Sequence, residues 1–164
     1  MTKQQLQTAA DWFRAEPWRV PALQGVNTLC VGSAAAAFFW GVLVSPGLHD
    51  PKLTLRLVLT CGVPFLALSA VRHVLDLPRP FEVYGMEPVL PREKPGRSFP
   101  SRHVFSIFVI GTSWLFLTPW VGAALLALGV LLAALRVVAG LHFPRDVICG
   151  ALLGAAAGAI GFLL

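Results

Sequence analysis

Apolar and polar positions fall into long blocks along this chain, with little alternation. Gly25–Leu48 is 24 residues without Asp, Glu, Lys, Arg or His, and a bilayer-spanning helix needs only about 20 apolar residues. A turn signal follows at Pro46, Gly47, Asp50 and Pro51. Leu53–Leu75 predicts a second span, with Arg56 near one end and Arg72 near the other. Residues 104–135 carry no charge, a stretch too long for one crossing, and Thr118-Pro119-Trp120 divides it. Proline is favoured in the first helical turn, so Pro144 marks the start of the helix that contains the last apolar run, Val147–Leu164. Spans are therefore expected at residues 25–45, 53–75, 101–117, 120–138 and 144–164. The fold class is an all-α polytopic membrane bundle of about five transmembrane helices, a single membrane-embedded domain over residues 1–164.

Outside the spans the pattern changes. Leu6, Ala9, Ala10 and Phe13 share one helical face, flanked by Trp12, Trp18, Arg14 and Arg19. This predicts an N-terminal interfacial amphipathic helix within residues 1–22, ended by Pro17 and Pro21; a frayed polar leader is the plainer alternative. The segment has no apolar core after its basic residue and does not read as a secretory signal. Residues 76–100 are polar, with prolines at 78, 80, 88, 91, 95 and 100. They cannot form a membrane helix, and a loop of this length is usually functional or disordered. In the last span Gly150, Gly154 and Gly158 recur every fourth residue, a spacing that lets helices approach closely. That face either packs inside the bundle, the favoured reading, or forms a homodimer contact.

Composition narrows the class. Charged residues make up 13% and hydrophobic residues 56%, against about 25% charged in a soluble domain, and mean hydropathy is +0.72. A disordered chain is excluded, and so few charges cannot cover a water-soluble globule. In a soluble protein the net charge of +5 would suggest nucleic acid. Beside long apolar runs it points instead to the bilayer and an anionic lipid phosphate, with no nucleic-acid partner. Cys30, Cys61 and Cys149 lie in apolar stretches without paired spacing, so neither a disulfide framework nor a zinc site is expected.

Six of the thirteen cations lie between Arg72 and Arg102, and charge at a span is costly unless it serves a site. Three groups qualify. Arg72 and Arg79 flank the end of the second span, where snorkelling to the interface is the plainer explanation. Ser101-Arg102-His103 opens the third span. Ser101 is a candidate N-cap, the helix start can hold an anion, and a histidine exchanges protons near neutral pH; a capped helix with an interfacial histidine is the alternative. Arg136, His142 and Asp146 close the set. The i, i+4 spacing puts Asp146 within reach of His142, where a carboxylate fixes the tautomer and sharpens the other nitrogen. An ion pair of Asp146 with Arg145 is the competing use. With five spans, all three groups reach the same membrane face. Arginine forks bind phosphate oxygens and stabilise developing charge, one histidine can attack phosphorus, and the other can protonate the leaving oxygen. No acidic cluster is available for magnesium, so no metal or cofactor is expected.

Read as motifs, Arg72-x6-Arg79-Pro80, Pro100-Ser101-Arg102-His103 and Leu135-Arg136-x5-His142-x3-Asp146 resemble, in order and internal spacing, the K-x6-RP, PSGH and SR-x5-H-x3-D motifs of the type-2 phosphatidic acid phosphatase family of membrane lipid phosphatases. The resemblance covers residues 72–146. It implies that His142 is the nucleophile forming a phosphohistidine, that Asp146 orients it, and that His103 is the general acid and then base. It implies that Arg72, Arg79, Ser101 and Arg136 cradle the phosphate. Three residues depart from the pattern. Arg72 stands for lysine, Leu135 for serine and Arg102 for glycine, the last adding a cation that could serve a second phosphate.

The expected function is hydrolysis of a lipid phosphomonoester or diphosphate: undecaprenyl diphosphate, favoured because of Arg102, phosphatidylglycerophosphate or phosphatidate. Transfer to a lipid acceptor through the same site, or non-catalytic binding of a lipid phosphate, are the alternatives. The expected location is the bacterial cytoplasmic membrane. The resemblance implies a site facing away from the cytoplasm, whereas Lys3, Arg14 and Arg19 on the site's side, by the positive-inside rule, point the other way.

Overall fold

The computed structural model describes residues 2–48, 51–91 and 94–164. Among them all regular structure is helical: α1 (Lys3–Arg14), α2 (Arg19–Leu48), α3 (Pro51–Leu75), α4 (Pro80–Tyr84), α5 (Arg102–Leu117), α6 (Pro119–Val138) and α7 (Pro144–Leu163). In hydrocarbon a helix satisfies every backbone polar group within its own segment, which is why uninterrupted apolar runs become helices here. Of the turn expected around Pro46–Pro51, the backbone through Leu48 continues α2; Asp50 lies outside the described residues, as does Arg92 of the polar loop.

Four helices, α2, α3, α6 and α7, are long and apolar enough to cross a membrane. The fifth expected span, α5, is present but has only 16 residues. At about 1.5 Å per residue it is some 24 Å long, short of the roughly 30 Å hydrocarbon core. Its end is set locally: Thr118 is extended and its N–H returns to the Trp114 carbonyl, and Pro119 opens α6. This short helix is the centre of the bundle, packed by α2, α3, α6 and α7. Val104, Phe105, Ile107, Val109, Ile110 and Trp114 are all buried, and Trp114 Nε1 donates to the Ala37 carbonyl of α2 at 3.2 Å. The outer helices instead expose large apolar side chains such as Trp40, Leu66, Val130 and Leu152. In water that envelope would be an association hazard; in a bilayer it meets acyl chains.

The glycine stripe of α7 faces α5. A Cβ on Gly150 would lie 2.6 Å from the Ser101 carbonyl oxygen, one on Gly154 2.5 Å from that of Phe105, and one on Gly158 2.7 Å from Thr112 Cβ. The homodimer expectation for this face is therefore corrected: α5 of the same chain fills it.

The N-terminal expectation also changes. The helix ends at Arg14, not near residue 22, and Pro21 sits in the first turn of α2, where its missing N–H has no intrahelical acceptor to lose. Leu6 and Ala10 are buried; Ala10 packs with Phe81, Val89, Leu90, Ala139 and Leu141 in a second cluster at one end of the bundle. Arg14 Nη2 donates to the Glu87 carbonyl at 3.0 Å, and Arg19 Nη1 to the Trp12 carbonyl at 2.7 Å. The apolar stripe of α1 thus roofs the polar loop, and Trp12 and Trp18 are left exposed.

Candidate active site

The three motifs meet beneath that roof. The loop between α3 and α5 is drawn inward by two arginines. Arg72, on the last turn of α3, donates from Nη1 to the Ser98 carbonyl at 3.3 Å and to the Pro100 carbonyl. Arg79 is the N-cap of α4; its Nε donates to the Gly96 carbonyl at 3.0 Å and its Nη1 to the Leu141 carbonyl at 3.3 Å. Both side chains are buried, and a buried charge is tolerated only when it is hydrogen-bonded or paired. Glu82 Oε2 accepts from the backbone N–H of both Arg79 and Gly96, each at 2.9 Å. Gly96 has φ +70, the left-handed region that glycine enters without side-chain strain, and a Cβ there would have to push the Asp76 carboxylate aside.

The segment after α6 is shaped in the same way. Gly140 takes φ +76, the left-handed conformation that ends many helices. The chain doubles back so that the N–H groups of Leu141 and His142 both donate to the Arg136 carbonyl, at 3.1 and 3.2 Å. His142 is 1% exposed, and Arg136 is buried with it. Asp146 lies in the first turn of α7 and is fully buried. Its Oδ2 accepts from the Phe143 N–H at 2.9 Å and from the Ser98 hydroxyl at 2.5 Å. The Arg145 alternative is present too, its exposed side chain reaching Asp146 Oδ1 at 3.5 Å. Ser101 is the N-cap of α5, but its side chain makes no capping hydrogen bond. Its backbone N–H donates to the Asp146 carbonyl at 2.9 Å, tying the second motif to the third. Its hydroxyl oxygen is buried and bonded to nothing among the described residues.

Arg72, Arg79, Arg102 and His103 line a cavity of about 490 Å³ together with Ser69, Lys94, Pro95 and Arg97. Ser101, Arg136, His142 and Asp146 do not line it. They form a buried layer, so contact of a substrate with His142 requires a rearrangement relative to this structure. Arg102 is exposed, its guanidinium 5.7 Å from the Phe65 ring centre. Arg97 Nε lies 3.9 Å from Asp76 Oδ1. Among the described residues no three His, Cys, Asp or Glu side chains come together as a metal set.

Sequence reasoning missed Ser98, Lys94 and Arg97. Lys94 and Arg97 were visible only as part of a cationic loop. Ser98 gave no periodic or spacing signal beyond standing two residues before Pro100.

The pattern of the PAP2 superfamily matches residues 53–164. The chain belongs to the PAP2 superfamily. That stretch contains every motif residue from Arg72 to Asp146, in agreement with the resemblance carried by the motifs. Among PAP2 relatives, the undecaprenyl-diphosphatase BcrC of Bacillus subtilis is 32% identical over 110 residues, 65% of this chain. The match spans 55% of BcrC's length, little more than half. Two solved structures share the fold. LpxE of Aquifex aeolicus superposes with a TM-score of 0.69 at 23% identity, covering 91% of this chain and 88% of its own. The transmembrane PAP2-type phosphatidylglycerolphosphate phosphatase of Bacillus subtilis gives 0.64 at 22% identity, covering 98% and 82%. With four helices long and apolar enough to cross a membrane, this PAP2 chain is an integral membrane protein.

Proposed function

We propose that this protein is a lipid phosphatase working through a phosphohistidine. His142 Nε2 attacks the terminal phosphorus and forms the N–P bond as the bond from that phosphorus to its leaving oxygen breaks, the bridging oxygen of a lipid diphosphate or the ester oxygen of a lipid phosphomonoester; His103 delivers a proton to that oxygen. Water then attacks the phosphohistidine, His103 takes its proton, and inorganic phosphate leaves. Arg72, Arg79, Ser101 and Arg136 bind the phosphate oxygens, and Asp146 orients His142. The observation that carries this reading is the juxtaposition, in a PAP2 chain, of a cavity lined by Arg72, Arg79, Arg102 and His103 with the buried His142, Ser98 and Asp146 cluster. Preorganised cations aimed at a transferring phosphoryl group are a large source of rate acceleration.

Among undecaprenyl diphosphate, phosphatidylglycerophosphate and phosphatidate, the diphosphate is favoured. Lys94, Arg97 and Arg102 add three cations to the cavity beyond the arginines of the first motif, which suits a second phosphate, and BcrC is named for that substrate.

The test is phosphate release from undecaprenyl diphosphate and phosphatidylglycerophosphate in detergent with EDTA present, wild type beside His142→Ala. The expected result is release by wild type alone, faster from the diphosphate, with an acid-labile phosphoenzyme trapped only when His142 is intact. Turnover by His142→Ala at near the wild-type rate, or a strict metal requirement, refutes the mechanism. Phosphate passing to an added lipid acceptor in place of water would reassign the chain as a phosphotransferase, and binding without turnover would leave it a lipid-phosphate binder.

A further inference from the structure

The direct His142–Asp146 contact is long. His142 Nδ1 lies 3.7 Å from Asp146 Oδ2, beyond the 2.7–3.2 Å of an N–H···O hydrogen bond. Ser98 Oγ stands beside both, 2.5 Å from Asp146 Oδ2 and 3.5 Å from His142 Nδ1, so the imidazole faces the hydroxyl and the carboxylate together. All three residues are at most 1% exposed. The short contact has the length of a charge-assisted O–H···O⁻ bond. A hydroxyl holds one donor and two acceptor positions, so donating to the carboxylate leaves its lone pairs for the imidazole. Its backbone is fixed from both sides: the Ser98 N–H donates to the Leu77 carbonyl at 2.9 Å, and the Ser98 carbonyl accepts from Arg72. Arg72 of α3 therefore also sets where this hydroxyl stands.

We infer that Ser98 is a positioning residue that fixes Asp146 against His142, an inference resting on the phosphohistidine reading above. With its hydrogen committed to Asp146, the hydroxyl presents lone pairs to Nδ1. Hydroxyl and carboxylate together hold the proton on Nδ1 and keep the lone pair on Nε2, the nitrogen that attacks. No proton leaves Nδ1 during the step. The positive charge that the ring gains on bonding phosphorus is felt directly by Asp146 at 3.7 Å, in the position that the Ser98 hydroxyl fixes.

Partners that orient a reacting histidine are typically worth about 10–100-fold. Ser98→Ala is expected to lower kcat by that factor, with KM within about threefold of wild type. Rapid-quench formation of the phosphohistidine should slow in parallel. Ser98→Cys, nearly the same size and a weak donor, should fall between Ser98→Ala and wild type, and it keeps the question open to measurement if the alanine variant does not fold. In an Asp146→Asn background Ser98→Ala should cost little more, because both act through one chain of contacts. Wild-type kcat in Ser98→Ala or Ser98→Cys, or losses that multiply fully in the double variant, would overturn the inference. Failure of the wild type to form any phosphohistidine on His142 is a separate result, and overturns the mechanism itself.

Discussion

Gly150 joins the packing of the bundle to the geometry of the site, and replacing it by alanine tests that link. The added Cβ would lie 2.6 Å from the Ser101 carbonyl oxygen, whereas ordinary contact begins at 3.4 Å, so α7 and α5 must part there by about 0.8 Å. The obstacle is backbone and cannot swing aside. The Ser101 N–H to Asp146 carbonyl bond, now 2.9 Å, would stretch to about 3.7 Å, outside hydrogen-bonding range. Overpacking of this kind costs about 1–3 kcal/mol, and a displacement near 1 Å at a reacting centre costs on the order of 10²-fold. Gly158→Ala is the control, since its Cβ would crowd Thr112 at 2.7 Å, about three turns of α7 away from Asp146. Thermal unfolding in detergent, with phosphate release from undecaprenyl diphosphate, reads both effects. The expected outcome is a similar loss of stability in the two variants, with kcat/KM down roughly 10–10²-fold only for Gly150→Ala. Equal activity losses in both, or an unimpaired Gly150→Ala, would refute the coupling of helix spacing to the site.

Two further outcomes follow from the same contacts. Arg79→Lys keeps the charge but cannot reach the Gly96 and Leu141 carbonyls together, because a lysine ends in one point charge where arginine offers a fork. Its kcat/KM should drop by about 10–10²-fold, the loss expected when one arm of a charged hydrogen-bonded clamp of about 1.5–3 kcal/mol is removed, and restored activity would show that charge alone suffices. Gly140→Ala meets no steric obstacle but must hold φ +76, so a stability loss of about 1–2 kcal/mol is expected in a detergent melt. An unchanged melting temperature would mean that the turn relaxes without strain.

Much of the fold was legible because a hydrocarbon environment leaves so few choices. An uncharged run must become a helix, and prolines at 119 and 144 start new ones. The candidate site was legible as three motif fragments, since arginines and histidines at span ends are costly and stand out. The direction of the α1 stripe was not legible. Leu6 and Ala10 look alike whether they meet lipid or protein, and only the presence of Val89, Leu90 and Ala139 beside them decides it.

The residues by themselves determined that the chain lives in a membrane, which segments are helical, and which charged groups gather at one end of the bundle. Each of those follows from composition and local spacing, properties of neighbours in the chain. The tertiary structure alone decided that the short α5 is the axis, that the glycines of α7 serve it and not a second copy, and that Arg79 ties Gly96 to Leu141. It alone placed Ser98 against His142 and Asp146, 44 and 48 residues away in sequence. These are contacts between segments far apart along the chain, fixed by how the helices pack, and no periodicity of any one segment encodes them.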